Sequence, residues 1–246
     1  MEDREFQKRI EDLADRCERT ASVTFTGFLT PAEQYALKKR HFGETTLLLH
    51  GGGEGCERAC AFFLPWYLPA EDFDPGEYIR AVKITACFGE PGHRDYMGAA
   101  LGLGIKREWV GDLRVIGEEC YIFCLPTVEP VLLELEQVGR CGVKAAPLPL
   151  SAVPTPERKV KRLTFTVKSL RLDAVVGGMF SLSRTAAADL IRMGAATLNY
   201  SECDKVDAPV KEGDVISLKG HGKGTLSEQG GKSRKDRIFL TAEINI

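Results

Sequence analysis

The chain has 246 residues, 43% of them apolar and 28% charged, with 33 Lys+Arg against 35 Asp+Glu and a formal net charge of −2. That is enough chain for two or three small domains with real cores, and it contains no run of about 18 apolar residues able to span a bilayer. The first 19 residues mix both charge signs densely, which argues against a signal or transit peptide and leads us to expect a cytoplasmic protein with no membrane partner.

Residues 2–20 and 30–41 read as helices, the second opened by Thr30 as cap and Pro31 as first residue. Strands at 45–50 and 58–64 flank Gly51-Gly52-Gly53-Glu54-Gly55. This stretch lacks both the Gly-Lys-Ser/Thr ending of a phosphate loop and the spacing of a dinucleotide fingerprint, so it reads as a hairpin turn. From Tyr78 to Leu148 the pattern gives strand 78–87, helix 93–103, strand 112–116, strand 119–124, helix 126–138 and strand 142–148. That order is the split, ferredoxin-like (RRM-like) βαββαβ pattern. Pro126 starts the second of these helices, and Val131, Leu132, Leu135 and Val138 are its expected buried face.

His93-Arg94-Asp95 copies three letters of a kinase catalytic loop, but no Gly-rich phosphate loop precedes it and no Asp-Phe-Gly follows. Lys106 and Arg107 come directly after a helix end, where cations offset the negative end of the dipole. A structural role is the plain reading of these cations, and the sharper one makes His93, Arg94, Lys106 and Arg107 an RNA-contacting surface. Tyr121 and Phe123 alternate on the third strand of the pattern, where RNA-binding sheets display stacking aromatics. Without the full aromatic motif, core packing is the expectation. The eight cysteines are scattered, and most read as small buried hydrophobes. Cys56/Cys60 and Cys120/Cys124 have three intervening residues but no adjacent His, a weak zinc pattern, so neither metal nor cofactor is expected.

Four prolines between Ala145 and Pro156, followed by the charged run 157–162, mark a linker. Beyond it, Leu172, Val175, Val176 and Met179 recur at helical spacing. Ser183 then caps a helix over 184–192, with Gly194 placed to end it in a left-handed conformation. Strands follow at 196–200 and 215–218, separated by a polar stretch and the 211–214 turn. Residues 221–224 and 230–235 read as flexible basic loop, and 238–244 as a final strand. Residues 157–246 carry 16 Lys+Arg against 11 Asp+Glu, net +5, whereas the rest of the chain is net −7. A basic module on an acidic body concentrates phosphate contacts at one end.

Helix, helix, strand, turn, strand over residues 168–220 resembles the S4 domain, an RNA-binding fold. The resemblance implies RNA contacts from Arg171, Arg184, Arg192, Lys205, Lys219 and Lys223. Ser183 and Thr185 lie beside them at the helix start, and His221, Lys232, Arg234 and Lys235 on the basic loop. Further upstream, residues 28–34, the 51–58 turn, and His93-Arg94-Asp95-Tyr96-Met97-Gly98-Ala99 are similar to the YlmH family of RNA-binding proteins. So are Leu103-Gly104-Ile105-Lys106-Arg107-Glu108 and Gly111-Asp112. With the C-terminal module the likeness spans nearly the whole chain. It implies a non-catalytic factor of the large ribosomal subunit, with rRNA and tRNA as partners, in the rescue of obstructed subunits.

A link to cell division or photosystem assembly also attaches to the family. The competing expectation is an RNA-modifying enzyme, of pseudouridine synthase or methyltransferase type, that uses the module for targeting, though no catalytic signature of either is recognisable. The expected class is therefore α+β and monomeric. It comprises an N-terminal α/β segment at 1–75, the ferredoxin-like domain at 76–150, a linker at 151–163 and an S4 (αL-type) domain at 164–246.

Overall fold

The computed structural model describes residues 2–156, 160–233 and 235–245. Arg234 and linker residues 157–159, named above, lie outside the described residues. The chain divides into two compact units, Met1–Pro156 and Glu157–Ile246, each mixing helices with antiparallel sheet.

In the first unit α1 (Glu2–Thr20) buries Ile10, Ala14 and Cys17 on one stripe, at the three- and four-residue spacing that faces a core. It packs on a three-stranded sheet of order β1-β3-β2, built from β1 (Thr24–Leu29), β2 (Thr46–His50) and β3 (Ala59–Leu64). The unbroken apolar run Ala59-Cys60-Ala61-Phe62-Phe63-Leu64 makes β3 the central strand, buried on both faces. Ala61 and Phe63 meet α1, while Cys60, Phe62 and Leu64 join Ile79, Tyr121 and Phe123 on the other side. Between β1 and β2 lies α2 (Pro31–Leu37), four residues shorter at its end than the periodicity predicts. Thr30 caps it in a capping box: its hydroxyl accepts from Glu33 N–H at 3.3 Å, and Glu33 accepts from Thr30 N–H at 2.7 Å. Thr30→Ala is expected to cost about 1 kcal/mol, read as a lower urea midpoint at unchanged slope.

The second sheet has β4 (Arg80–Ala86), β5 (Val110–Ile116), β6 (Glu119–Cys124), β7 (Gln137–Val138) and β8 (Cys141–Leu148) in the order β5-β6-β4-β8-β7, all antiparallel. α3 (His93–Gly102) follows β4, and α4 (Glu129–Leu133) follows β6. Tyr121 and Phe123 are buried, as core packing requires. The expected helix over 126–138 is corrected: only 129–133 is helical, and Gln137-Val138 turns back through Gly139, φ +60°, to pair with β8. Leu132, Leu135 and Val138 are buried, but Val131 is exposed.

The second unit is one six-stranded sheet of order β11-β10-β12-β13-β14-β9 with two helices on it. Its elements are β9 (Val160–Val167), α5 (Leu172–Met179), α6 (Arg184–Arg192), β10 (Ala196–Leu198), β11 (Ser201–Glu202), β12 (Val215–Leu218), β13 (Gly222–Lys232) and β14 (Ile238–Asn245). Ser183 accepts from Ala186 N–H at 3.1 Å, and Gly194, φ +72°, follows the helix as expected. β10 stops at Leu198 because Asn199 and Tyr200 take left-handed φ of +51° and +68°, closing a two-residue hairpin onto β11. Asn199 is held there by a bond from its Nδ2 to Asp214 and another from Val215 N–H to its Oδ1. The stretches read as flexible basic loop are strand instead: Gly222–Gly224 and Gly230–Lys232 lie in β13, paired with β12 and β14. β9, which the sequence pattern does not reveal, begins inside the expected linker and pairs with β14 over its full length.

Candidate nucleic-acid interface

Asp173, near the start of α5, organises the basic face of the second unit. Its carboxylate is 5% exposed and accepts from Arg171 Nε at 3.2 Å, Arg184 Nε at 2.8 Å and Ala174 N–H at 2.9 Å. Arg171 reaches it from the residue before α5 and Arg184 from the first residue of α6, so two predicted RNA contacts from different helices are locked side by side. Burial pushes the Asp173 carboxyl up, but the hydrogen bonds from Arg184 and Arg171 outweigh it and hold the group below its ordinary value. Both guanidiniums keep a solvent-facing side, which leaves donors for a phosphate. Arg184 also lines a cleft of about 440 Å³ with Lys168 and Arg237. Arg237 donates to Thr166 Oγ1 at 2.9 Å and to Thr166 O at 2.6 Å. Sequence alone does not single out Lys168 or Arg237, because only the pairing of β9 with β14 brings them to Arg184.

The other predicted residues are spread over the unit. Thr185 is exposed on α6 next to Arg184. Arg192 is exposed and pairs with Asp189 one turn back at 3.0 Å, a contact weak enough in water to be exchanged for a ligand. Lys205 and Lys219 are exposed, and Lys219 N–H bonds Ala195 O just past α6. His221 sits beside Phe180 with ring centroids 6.4 Å apart, and Lys223 lies over the Tyr200 ring at 6.0 Å. Lys232 pairs with Asp236 at 2.8 Å, and Lys235 is exposed in the turn between β13 and β14.

In the first unit His93 and Arg94 are exposed at the start of α3. Lys106 is exposed and lies over Trp109 at 5.2 Å. Arg107 is half-buried, donating to the carbonyls of Val110 and Gly111. His93 and Arg107 line one small cleft with Asp112 and Arg114. Arg114 is structural. It is 8% exposed, donates to the carbonyls of Glu54 and Pro154 and lies over Phe123 at 5.0 Å, which pins the Gly-rich loop.

Burial pushes the Cys120 and Cys124 thiols up to about 12 and raises Cys60 as well, so these are protonated core residues. Among the described residues there is no cluster of three or more His, Cys, Asp or Glu side chains placed to hold a metal.

Comparison with known proteins gives three findings. Residues 70–152 match the family model described as "Putative RNA-binding domain in YlmH". The chain is 32% identical over 224 residues to the "Ribosome-associated protein quality control protein P2" of Bacillus subtilis (strain 168), covering 90% of this chain and 87% of that protein. Among solved structures it is similar to "Cell division protein ylmH from Streptococcus pneumoniae", with a TM-score of 0.52 at 23% identity, over 61% of this chain and 93% of that one.

Proposed function

The chain belongs to the YlmH family, and from that premise we propose that it is a non-catalytic RNA-binding protein acting in ribosome-associated quality control. It docks as a cytoplasmic monomer on rRNA and tRNA of stalled large subunits. The observation that carries this reading is the Asp173-held pair of Arg171 and Arg184 on a unit of net charge +5. Planar guanidiniums fixed by a buried carboxylate are pre-oriented for bidentate phosphate contacts, which position the protein without reading bases.

The second unit is, in this reading, an S4 domain, with α5 and α6 presenting Arg171, Ser183, Arg184, Thr185 and Arg192. Lys205, Lys219, His221 and Lys223 extend its surface, Lys232 and Lys235 add the far hairpin, and Arg234 is a proposed RNA contact from its sequence position alone. The strand order β5-β6-β4-β8, with one helix after β4 and one after β6, supports a ferredoxin-like domain over residues 76–150. An N-terminal segment at 1–75 precedes it and the 151–163 linker follows. His93, Arg94, Lys106 and Arg107 give this part a second RNA surface.

Sedimentation with large subunits on sucrose gradients at two salt concentrations tests the reading. Association should fall as salt rises, and Arg184→Ala with Arg192→Ala should weaken it about tenfold or more at fixed salt. Undiminished co-sedimentation of that variant would refute the assignment.

A further inference from the structure

The stretches of the first unit that carry the family likeness, residues 28–34, 51–58 and 103–112, are far apart in sequence yet meet at one cleft of about 440 Å³. Its cations are Arg9, Arg58, Lys106 and Arg107, and its carboxylates are Glu33 and Glu108. Both carboxylates lie near enough to Arg58 to favour its charge, and each has a partner within the cleft lining. Glu33 accepts from the Thr30 N–H at 2.7 Å and the Thr30 hydroxyl at 2.8 Å, and Glu108 pairs with Arg9 at 3.8 Å. Asp112, which lines the neighbouring cleft of His93 and Arg114, accepts from the backbone N–H groups of Glu57 and Arg58.

Arg58 and Arg107 are instead oriented by neutral carbonyls, Arg58 by Phe28 O and Arg107 by Val110 O and Gly111 O. Carbonyls fix a guanidinium without cancelling its charge. Among the described residues Arg58 Nε has no hydrogen-bond partner. Burial lowers both groups and the proximity of Arg58 lowers Arg107 further, while Glu33, Asp112 and Glu108 offset part of this at Arg58 and Asp112 part of it at Arg107. Two like charges held together and half out of water, only partly offset by these carboxylates, gain from a further anion.

We infer that this cleft is a phosphate site of the first unit, in which Arg58 and Arg107 grip a phosphate of the RNA backbone and Arg9 and Lys106 form its rim. The inference rests on the RNA-binding reading above and adds a contact point distinct from the Asp173 face.

The test is the affinity of the full chain for deproteinised large-subunit rRNA across a salt series. Two variants are compared with wild type: Arg58→Gln with Arg107→Gln, and the rim pair Arg9→Gln with Lys106→Gln. Each phosphate contact contributes about 0.7 to 0.9 to the slope of log affinity against log salt. The first variant should lose about one such increment and about tenfold in affinity, and the rim pair a smaller part of both. Because Arg58 and Arg107 also tie down main chain, the rim pair decides if the first variant does not fold.

An unchanged slope and affinity in the rim pair and in the folded first variant, while Arg184→Ala with Arg192→Ala still loses binding, overturns the cleft alone. Absence of any rRNA binding by wild type fails the broader reading instead. Inorganic phosphate provides the second arm. A rise in melting temperature with phosphate that Arg58→Gln with Arg107→Gln abolishes, without any change in rRNA slope, assigns the cleft to free phosphate and overturns the RNA assignment.

Discussion

Asp173→Ala is expected to cost about 2 kcal/mol of stability and, in the same protein, about tenfold or more in RNA affinity. The carboxylate is buried and accepts three hydrogen bonds. Arg171 and Arg184 are 41% and 58% exposed and can rehydrate once it is gone, which places the loss below the 3 to 5 kcal/mol or so of a wholly buried pair. The affinity falls for another reason. Without Asp173 the two guanidiniums are no longer fixed relative to each other, so each phosphate contact must order a long side chain on binding.

The pH dependence has a definite sign. A carboxyl held below its unfolded value by folding contributes stability that is complete above the ordinary Asp range, near pH 4, and is lost as pH falls through the folded value. Urea melts between about pH 7 and pH 3 should therefore show wild type losing more stability than the variant on the acid side. Parallel curves for the two proteins would remove the carboxylate from this role.

Gly52→Ala is expected to be at least as damaging, at about 3 kcal/mol. The residue has φ +98°, and a Cβ there would stand 2.4 Å from the Phe123 ring and 3.1 Å from Ile79. Backbone strain of about 1 to 2 kcal/mol thus adds to an overpacking cost of about 1 to 3 kcal/mol. Gly55 is the internal control. Its φ is +75°, but a Cβ there meets no heavy atom within 4 Å, so Gly55→Ala should carry only the strain, about 1 kcal/mol. The difference between the two midpoints in chemical denaturation isolates the packing. Equal losses would mean that the loop does not press on Phe123 as the geometry requires.

Local signals are readable from sequence wherever one residue decides the backbone. Thr30 and Ser183 cap their helices, Gly194 follows α6 in the left-handed region, and the buried run of β3 is continuous. What escapes is set by partners distant in the chain. β1 has the alternating Thr-Phe pattern of a strand but is interrupted by Gly27, and only the fold explains that glycine, since a Cβ would stand 2.5 Å from Glu108 O. β9 starts among charges and β13 is rich in glycine and lysine, so composition points to linker and loop. Eight paired residues of β14 turn the first into a strand, and neighbours on both sides do the same for the second.

Three of the four apolar residues expected to be buried by a helix over 126–138 are buried and Val131 is not, because Gly139 allows the chain to reverse and commit Val138 to a hairpin. Among the site residues, Arg171 and Arg184 are visible as basic positions. Their common anchor Asp173 and the approach of Arg58 to Arg107 are properties of tertiary structure alone.

The pairing of β9 with β14 sets an order of assembly. β9 opens the second unit, and its neighbour in the sheet is the strand ending at Asn245. During synthesis, residues 160–167 must therefore wait, with a strand edge uncovered, until residues 238–245 have left the ribosome. Contacts this distant along the chain form late, because loop closure precedes their reward. The helices bearing Arg171 and Arg184 join through a short connection and can associate earlier. The RNA-facing surface should accordingly take shape on a nascent chain whose sheet is still open, and pulse-labelled hydrogen exchange should find the amides of β9 among the last to gain protection.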